Sequence, residues 1–167
     1  QVLVQEGLIT SEPQKGKHVR QMTGKEIYDS YVVAGILEGA GVAESLPLWT
    51  EANMETFRSV VRQMEGKISY ATKLDELAEI DELFHATLFM ACDNTRLVEM
   101  ARTSCATISK YLYYQHWITM FTPREYADRH HAVAEAVYSR DVKHVETALR
   151  DHYKETGLRM AQFGKEA

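Results

Sequence analysis

The stretch HHAVAEAVYSRDVKHVETALRDH, residues 130–152, predicts two helices joined by a short turn. The link SRD at residues 139–141 is short enough to place the helices antiparallel, and Asp141 can cap the second one. His130 lies about ten residues before this turn and His152 about eleven after it. At roughly 1.5 Å rise per residue, both lie on the order of 15 Å from the bend. We therefore expect the two histidines at the same level of a helical hairpin.

Both histidines are predicted to face the inside of the hairpin, because helical periodicity places them on the apolar stripes. His131 and His144 lie nearer to the polar edges. The residues that share a stripe with His130 or His152 are Tyr126, Val133, Ala134, Val137, Val145, Ala148 and Leu149.

A third helix can complete a site at this level. In IDELFHATLF, residues 80–89, Asp81 and His85 lie one helical turn apart and interrupt an apolar stripe. Three imidazoles and one carboxylate suit a divalent ion, with Zn²⁺ expected first and Ni²⁺, Mn²⁺ or Co²⁺ as alternatives. The competing interpretation is that each histidine is a hydrogen-bonded core residue and that Asp81 is a buried partner of His85. Four such groups at matched heights favour the metal site, because burial of uncompensated polar groups is costly.

The remaining start and stop signals predict an all-α antiparallel bundle of about six helices, preceded by a short β-hairpin. In residues 1–22, a helix end is followed by the strand-like runs LIT and KHV around a turn with Pro13 and Gly16. Residues 23–167 form the predicted helical domain. The predicted helices cover about 24–45, Thr50 to Gly66, Thr72 to Ala91, Asn94 to Trp117 or beyond, a fifth from Thr122, and a sixth from Asp141 nearly to the C-terminus.

The composition is that of an ordinary globular domain. The chain has 167 residues, 45% of them hydrophobic and 26% charged, with a formal net charge of -5. This charge argues against the chain as a whole being a nucleic-acid-binding surface. Cys92 and Cys105 form no metal-binding or redox pair motif. We find no apolar run approaching the roughly 18 residues of a membrane span, and we expect a cytoplasmic protein without membrane contact.

The motifs resemble the FCD effector-binding domain of the FadR branch of the GntR superfamily of bacterial transcription regulators. DELFHATL supplies the Asp and His of one family helix, HHAVAEAVYSRD supplies the next His, and DVKHVETALRDH ends at the last His. The resemblance extends from about residue 24 to 160. It implies a metal site at Asp81, His85, His130 and His152, a small carboxylate effector that completes the coordination, and a homodimer.

The N-terminal residues also resemble part of this family. EGLI followed by P-x-x-G-x-x-V looks like the end of a recognition helix and the wing of a winged helix-turn-helix. The resemblance then implies that residues 1–22 are the C-terminal part of a DNA-binding domain, most of which is absent from this chain. Lys15, Lys17 and His18 would be wing residues near DNA. A solvated hairpin without a DNA contact is the alternative.

One position departs from the family pattern. The family often has an Arg before the Leu-Glu pair of its first helix, whereas YVVAGILEGAG has Ala34 there. An effector contact from that Arg is therefore not expected. The remaining candidates for binding an anionic effector are Arg102, with Tyr111 or Tyr114 below it on the same predicted helix, since guanidinium groups bind carboxylates in a bidentate manner. Arg102 as an ordinary surface charge is the alternative.

These observations predict a transcription regulator whose helical domain senses a small organic acid, rather than an enzyme. A metal-dependent hydrolase is a second possibility, since a zinc ion with an open position can activate water. A hydrolase would need a general acid or base beside the metal. Glu82 points roughly 100° away from Asp81 on a helix, which disfavours this function. A metal-stabilised or metal-free dimerisation module is the third possible function.

Overall fold

A two-stranded hairpin lies at the N-terminal end of the molecule. The computed structural model describes residues 4, 7–12, 14 and 16–166. Strands β1 (Ile9–Glu12) and β2 (Gly16–Val19) pair antiparallel with Ile9 opposite Val19, which confirms the predicted hairpin. The predicted helix end before it falls mostly outside the described residues.

An all-α bundle follows the hairpin, as predicted. Within the described residues it contains seven α-helices: α1 (Gly24–Ser45), α2 (Glu51–Ile68), α3 (Ala78–Leu88), α4 (Thr95–Thr107), α5 (Tyr114–Met120), α6 (Pro123–Ser139) and α7 (Val142–Ala161). Short 3₁₀ turns cover Leu46–Leu48 and Leu74–Leu77, and a π-helical turn covers Ile108–Leu112.

Polar caps begin several helices at the residues that the sequence predicts, but α3 is an exception. The third helix was predicted from Thr72 to Ala91, whereas α3 covers only Ala78–Leu88, follows the 3₁₀ turn Leu74–Leu77 and has no side-chain cap. At the start of α1, the Glu26 N–H donates to Thr23 Oγ1 at 3.2 Å, and the Thr23 N–H donates to the Glu26 carboxylate at 2.8 Å. Thr50 and Thr122 form the same reciprocal arrangement at α2 and α6. The Asp141 carboxylate accepts two backbone N–H groups at the start of α7. These caps satisfy donors that have no partner within a helix, so local chemistry fixes the helix starts.

The predicted fourth helix is not continuous, and this correction raises the number of helices from six to seven. It begins at Asn94 as expected, but α4 ends at Thr107 and a π-helical turn separates it from α5. Tyr113 lies at the break, and its hydroxyl donates to the Met22 carbonyl at 3.2 Å and accepts from the Met22 N–H at 3.1 Å. This long-range contact accompanies a break that local helix propensity does not indicate.

The α6–α7 hairpin and helices α2 and α3 enclose the main core. Arg140 makes the sharp link between α6 and α7 in the left-handed conformation, with φ 54°. Phe57 of α2, Phe84 of α3 and Leu149 of α7 are fully buried and belong to one apolar cluster. Because Phe84 comes from the same helix as Asp81, the core also fixes the orientation of the predicted metal ligands.

Helix α1 packs closely against α7 through two glycines. A Cβ at Gly157 would lie 2.8 Å from the Tyr31 Cβ, and a Cβ at Gly35 would lie 2.8 Å from the Tyr153 Cβ. Real side-chain atoms do not approach so closely, so only glycine allows the two helices this separation. The contacts show that α1 and α7 run antiparallel, with Tyr31 at the level of Gly157.

One helix departs from the expectation that no run is long and apolar enough for a membrane span. Residues Gly24–Leu48, which include α1, pass that criterion by length and composition. Half of the apolar window is buried inside the protein. Because buried core helices pass the same test, this feature is weak evidence for a membrane span.

Candidate metal centre

Three histidines from three helices meet beside the core. The ring centroids of His130 on α6 and His152 on α7 lie 4.8 Å apart. The His85 ring on α3 lies 5.6 Å from the His130 ring and 5.3 Å from the His152 ring. The short link between α6 and α7 places His130 and His152 at the same level. The packing of Phe84 against His130, with ring centroids 5.0 Å apart, brings α3 to the same place.

The spacing of the histidine nitrogens fits a metal ion after a small adjustment. One nitrogen from each of His85, His130 and His152 lies within 4.8 Å of the others. An ion bound at about 2.0–2.1 Å from each nitrogen would need nitrogens roughly 3 Å apart, so the rings must converge by one or two ångströms.

His130 is held between two hydrogen-bond acceptors. Its Nδ1 lies 2.8 Å from the Tyr126 carbonyl oxygen, and its Nε2 lies 3.1 Å from Asp81 Oδ1. A neutral imidazole carries one N–H and can satisfy only one of them. Burial lowers the pKa of His130 despite the neighbouring Asp81 carboxylate, which favours the neutral ring. With Nδ1 donating to Tyr126, a cation between Nε2 and Asp81 resolves the conflict.

His152 adds a second unsatisfied group. It is half-buried, and its Nδ1 is enclosed without a hydrogen-bond partner among the described residues. Burial, together with the neighbouring His130 and His85, lowers the pKa of His152 well below its ordinary value. The ring is therefore neutral, which is the form that binds metals. A buried nitrogen without a partner is costly unless a ligand uses it.

Glu38 of α1 orients His85 and was given no role by the sequence analysis. Its carboxylate is buried and lies 2.7 Å from His85 Nδ1, while the Tyr153 hydroxyl donates to its other oxygen at 2.6 Å. Burial acts to lower the pKa of His85, but the Glu38 charge outweighs it and raises the pKa to about 9. A carboxylate on Nδ1 orients the ring as in many metal sites. Because the raised pKa keeps the ring protonated at neutral pH, a metal would bind Nε2 of His85 by displacing its proton.

A signal for Glu38 was present in the sequence. It is the only charged residue between Asp29 and Glu44, in an otherwise apolar and small-residue stretch. A lone acid on a core helix needs a buried partner. What the sequence could not show is that this partner would be His85, which lies 47 residues away.

A cavity of about 270 Å³ opens beside the histidines. Arg102 and Tyr114, predicted as effector-binding residues, line it, but Tyr111 is 64% exposed and is not among its lining residues. At its edge, Glu82 pairs with Lys110 at 2.9 Å. The structure therefore brings two of the three predicted effector residues to the cavity.

Arg129 is a further cation on this cavity that the sequence analysis did not single out. It precedes His130, lies 4.2 Å from the ring centre of Phe121, and donates to the His152 carbonyl at 2.7 Å and to Thr156 Oγ1 at 2.6 Å. It also pairs with Glu155. Burial lowers the pKa of Arg129, but a guanidinium remains charged. Arg129 is therefore a fixed guanidinium beside the predicted metal ligands, with its charge paired to Glu155.

The predicted DNA-contacting residues lie on the hairpin, far along the chain from the histidines. Lys17 and His18 are on β2, whose residues are all exposed. Lys15 lies outside the described residues. An exposed strand is compatible with a wing and equally with a solvated hairpin.

Comparison with known proteins identifies the family. The FCD domain family matches residues 29–155. The HTH-type transcriptional repressor RspR of Escherichia coli K12 is 24% identical over 167 residues, which is 98% of this chain and 71% of that protein. The uncharacterized HTH-type transcriptional regulator YdfH of Shigella flexneri has the same identity and coverage.

Solved structures share the fold. A GntR-family transcriptional regulator from Pseudomonas syringae pv. tomato DC3000 superposes with a TM-score of 0.69 at 19% identity, over 97% of this chain and 66% of that one. McbR/YncC of E. coli superposes with a TM-score of 0.76 at 15% identity, over 96% of this chain and 76% of that one. Since the family match covers most of the sequence, the chain belongs to the FCD domain family and is homologous to HTH-type transcriptional regulators.

Proposed function

We propose that this domain senses a small organic acid at a divalent metal ion and thereby controls DNA binding by an attached winged helix. The observation that carries the proposal is His130, whose two nitrogens face two acceptors that a neutral ring cannot both satisfy. Three imidazoles and one carboxylate favour zinc, with nickel, manganese or cobalt as alternatives. The four proposed ligands are Asp81, His85, His130 and His152.

The cavity supplies partners for an acid bound at such an ion. A metal in this position would attract a carboxylate as a Lewis acid. Arg102 lines the cavity, and among the described residues it forms no ion pair, so its guanidinium can turn toward a carboxylate. The Arg129 guanidinium donates to the His152 carbonyl and to Thr156, which hold it in place. It therefore contributes charge rather than free N–H donors for a carboxylate. The acid would therefore meet two guanidinium groups besides the metal, of which Arg129 is already paired with Glu155 and Arg102 is free to bind it.

The wall of the cavity is linked to the hairpin. Tyr114 lines the cavity, and the preceding Tyr113 holds the Met22 backbone through two hydrogen bonds. Met22 follows β2 by three residues and also accepts a hydrogen bond from the Lys165 N–H at 2.9 Å. A ligand that favours one position of the α4–α5 wall would thus shift the hairpin and the DNA-binding segment. We include a homodimer in the proposal, because regulators of this kind match two-fold symmetric operators.

Organic acids are expected to stabilise the metal-loaded protein and to leave the chelated protein unchanged. An acid at 100 times its dissociation constant adds about 2.7 kcal/mol of stability, which corresponds to a rise in Tm of roughly 5–10 °C for a chain of this size. Thermal unfolding with a panel of small acids, with and without chelator, measures this difference. Equal shifts in both forms would rule out binding at the metal. Metal-dependent turnover of an ester or phosphate would favour a hydrolase instead.

Glu38→Gln is expected to weaken metal binding by about 10- to 100-fold without removing a ligand, because loss of an outer partner leaves His85 less well oriented and less basic. A calorimetric titration of zinc into chelated protein checks this. Glu44→Gln is the matched control, since Glu44 is an exposed acid on the same helix. Equal zinc affinity in the Glu38→Gln variant and the wild type would show that Glu38 has only a structural role.

A further inference from the structure

The cavity contains a buried hydroxyl that nothing in the described part of the protein satisfies. Tyr31 of α1 lines the cavity and is 2% exposed, and its hydroxyl has no hydrogen-bond partner there. The Ser109 hydroxyl is near enough to lower the pKa of Tyr31, but the two hydroxyls do not meet hydrogen-bond geometry, and Ser109 donates to the Cys105 carbonyl at 3.2 Å. Leaving a buried hydroxyl unpaired costs about 1–3 kcal/mol, so it needs an explanation.

The other unpaired groups on this cavity are explained by the metal centre. His152 Nδ1 belongs to a proposed metal ligand. The Tyr126 hydroxyl is also unpaired, but the Tyr126 ring packs on His130, so it lies beside a proposed ligand of the same site. Tyr31 forms no ring contact with the three histidines, whereas Tyr126 packs on His130 at 3.9 Å. Burial is the largest cause of the raised pKa of both tyrosines. The Asp81 carboxylate raises the pKa of Tyr31 only as a nearby charge, whereas for Tyr126 it is the main cause after burial. The Tyr31 hydroxyl is therefore a separate feature.

The packing of α1 on α7 locates Tyr31 away from the metal ligands. Tyr31 lies opposite Gly157, which follows His152 by five residues. Five residues correspond to a displacement of roughly 7.5 Å along α7. Side chains on a helix lean toward its N-terminus, so the Tyr31 ring leans away from Glu38, which lies two turns later on α1. The hydroxyl thus marks the distal part of the cavity.

Most of the remaining wall is apolar. With a volume of about 270 Å³ the cavity has room for several heavy atoms beyond a carboxylate, since one water occupies roughly 30 Å³. Its apolar lining residues include Leu74, Ala78, Phe89, Ala101, Trp117 and Phe121.

We infer that the ligand is an oxo- or hydroxy-substituted organic acid with an apolar body, whose distal oxygen accepts a hydrogen bond from the Tyr31 hydroxyl. The assignment of the ligand carboxylate to the metal rests on the function proposed above. The assignment of the distal oxygen rests on Tyr31 alone. Burial raises the pKa of Tyr31 well above its ordinary value, so the phenol stays neutral and can donate. A site that hydrogen-bonds a ligand oxygen discriminates against an isostere that lacks it, because the protein group is then left unpaired.

Two isosteric pairs of acids test this inference on the zinc-loaded chain. They are 4-oxopentanoate with 4-methylpentanoate, and 4-hydroxyphenylacetate with 4-methylphenylacetate. In the wild type, at least one oxygen-bearing acid should bind about tenfold more tightly than its methyl partner. Tyr31→Phe should reduce that ratio to near one without a change in zinc content. Tyr28→Phe is the matched control, because Tyr28 also lies near Gly157 but does not line the cavity.

A second measurement separates this role from a structural one. Tyr31→Phe removes an unpaired hydroxyl and keeps the ring, so the Tm of the ligand-free variant should equal or exceed that of the wild type. A lower Tm would mean that the hydroxyl has a protein partner, and would overturn the inference. Equal affinities within both pairs, or a preference that Tyr31→Phe preserves, would overturn it as well.

The two proposals fail in different ways. Metal-dependent binding of the acids without discrimination would remove the role of Tyr31 and leave the metal-anchored sensor intact. Discrimination that depends on Tyr31 but persists in chelated protein would support the distal contact and contradict the metal-bound carboxylate. Binding of none of the four acids to either form would contradict both.

Discussion

His152→Ala is expected to weaken zinc binding by more than 100-fold. The substitution removes one of four ligands, and loss of an outer partner alone already costs about 10- to 100-fold. His152 contributes no hydrogen bond from its Nδ1 to the described protein, so little folding energy depends on that atom. A competition titration of chelated protein with zinc and a chromophoric chelator measures the affinity.

His144→Ala provides the comparison on the same helix. His144 is exposed and lies two turns before His152, and the only side-chain hydrogen bond that it makes to a described residue is a long 3.5 Å approach to Ser139. The zinc affinity of the His144→Ala variant should match that of the wild type. If both variants bound zinc as the wild type does, His152 would be a core histidine and not a ligand.

Phe84→Ala is expected to lower the free energy of unfolding by about 3–5 kcal/mol, since it empties a fully buried aromatic site. The Phe84 ring lies 5.4 Å from that of Phe57 and 5.0 Å from that of His130. The loss would thus affect the core and the support of the proposed metal ligands together. Urea unfolding of chelated protein isolates the packing contribution.

The neighbouring Leu83 is the control for this effect. It lies on the same helix but is 42% exposed, so Leu83→Ala should change the free energy of unfolding by no more than about 0.5 kcal/mol. Comparable losses in the two variants would mean that α3 is destabilised by alanine substitution in general. The assignment of Phe84 to a core that supports the site would then be wrong.

Local rules account for most of the fold. Capping residues such as Thr23 and Thr122 specify helix starts because their hydrogen bonds involve only residues three positions away. The convergence of His130 and His152 follows from the same kind of information, namely helix rise and a short link. Their ring separation of 4.8 Å agrees with the predicted common level.

Contacts between distant parts of the chain could not be predicted in this way. The break near Tyr113 accompanies hydrogen bonds to Met22, 91 residues earlier. The π-helical turn also changes which side chains face inward, so Tyr114 lines the cavity while Tyr111 is exposed. The periodicity indicates one continuous helix across this region. It therefore could not predict that Tyr114, and not Tyr111, would line the cavity.

Glu38 and Arg129 were missed for related reasons. Each is a charged residue whose importance depends on the group that it meets: His85 for Glu38, and the His152 carbonyl for Arg129. Periodicity places a residue on the inner face of a helix but does not say which neighbouring helix that face meets. Glu38 had a signal, as an isolated acid in an apolar helix, whereas Arg129 resembled one charge among many.

The proposed metal centre requires that Asp81 and the three histidines bind one divalent metal ion. The most direct test is the metal content of the purified full chain and of Asp81→Ala, by elemental mass spectrometry after equilibration with zinc and removal of excess. We predict about one zinc per wild-type chain and a large loss in Asp81→Ala, since the variant lacks the carboxylate that faces His130 Nε2 at 3.1 Å. A wild-type chain without stoichiometric metal, or equal metal content in the two proteins, would contradict the account.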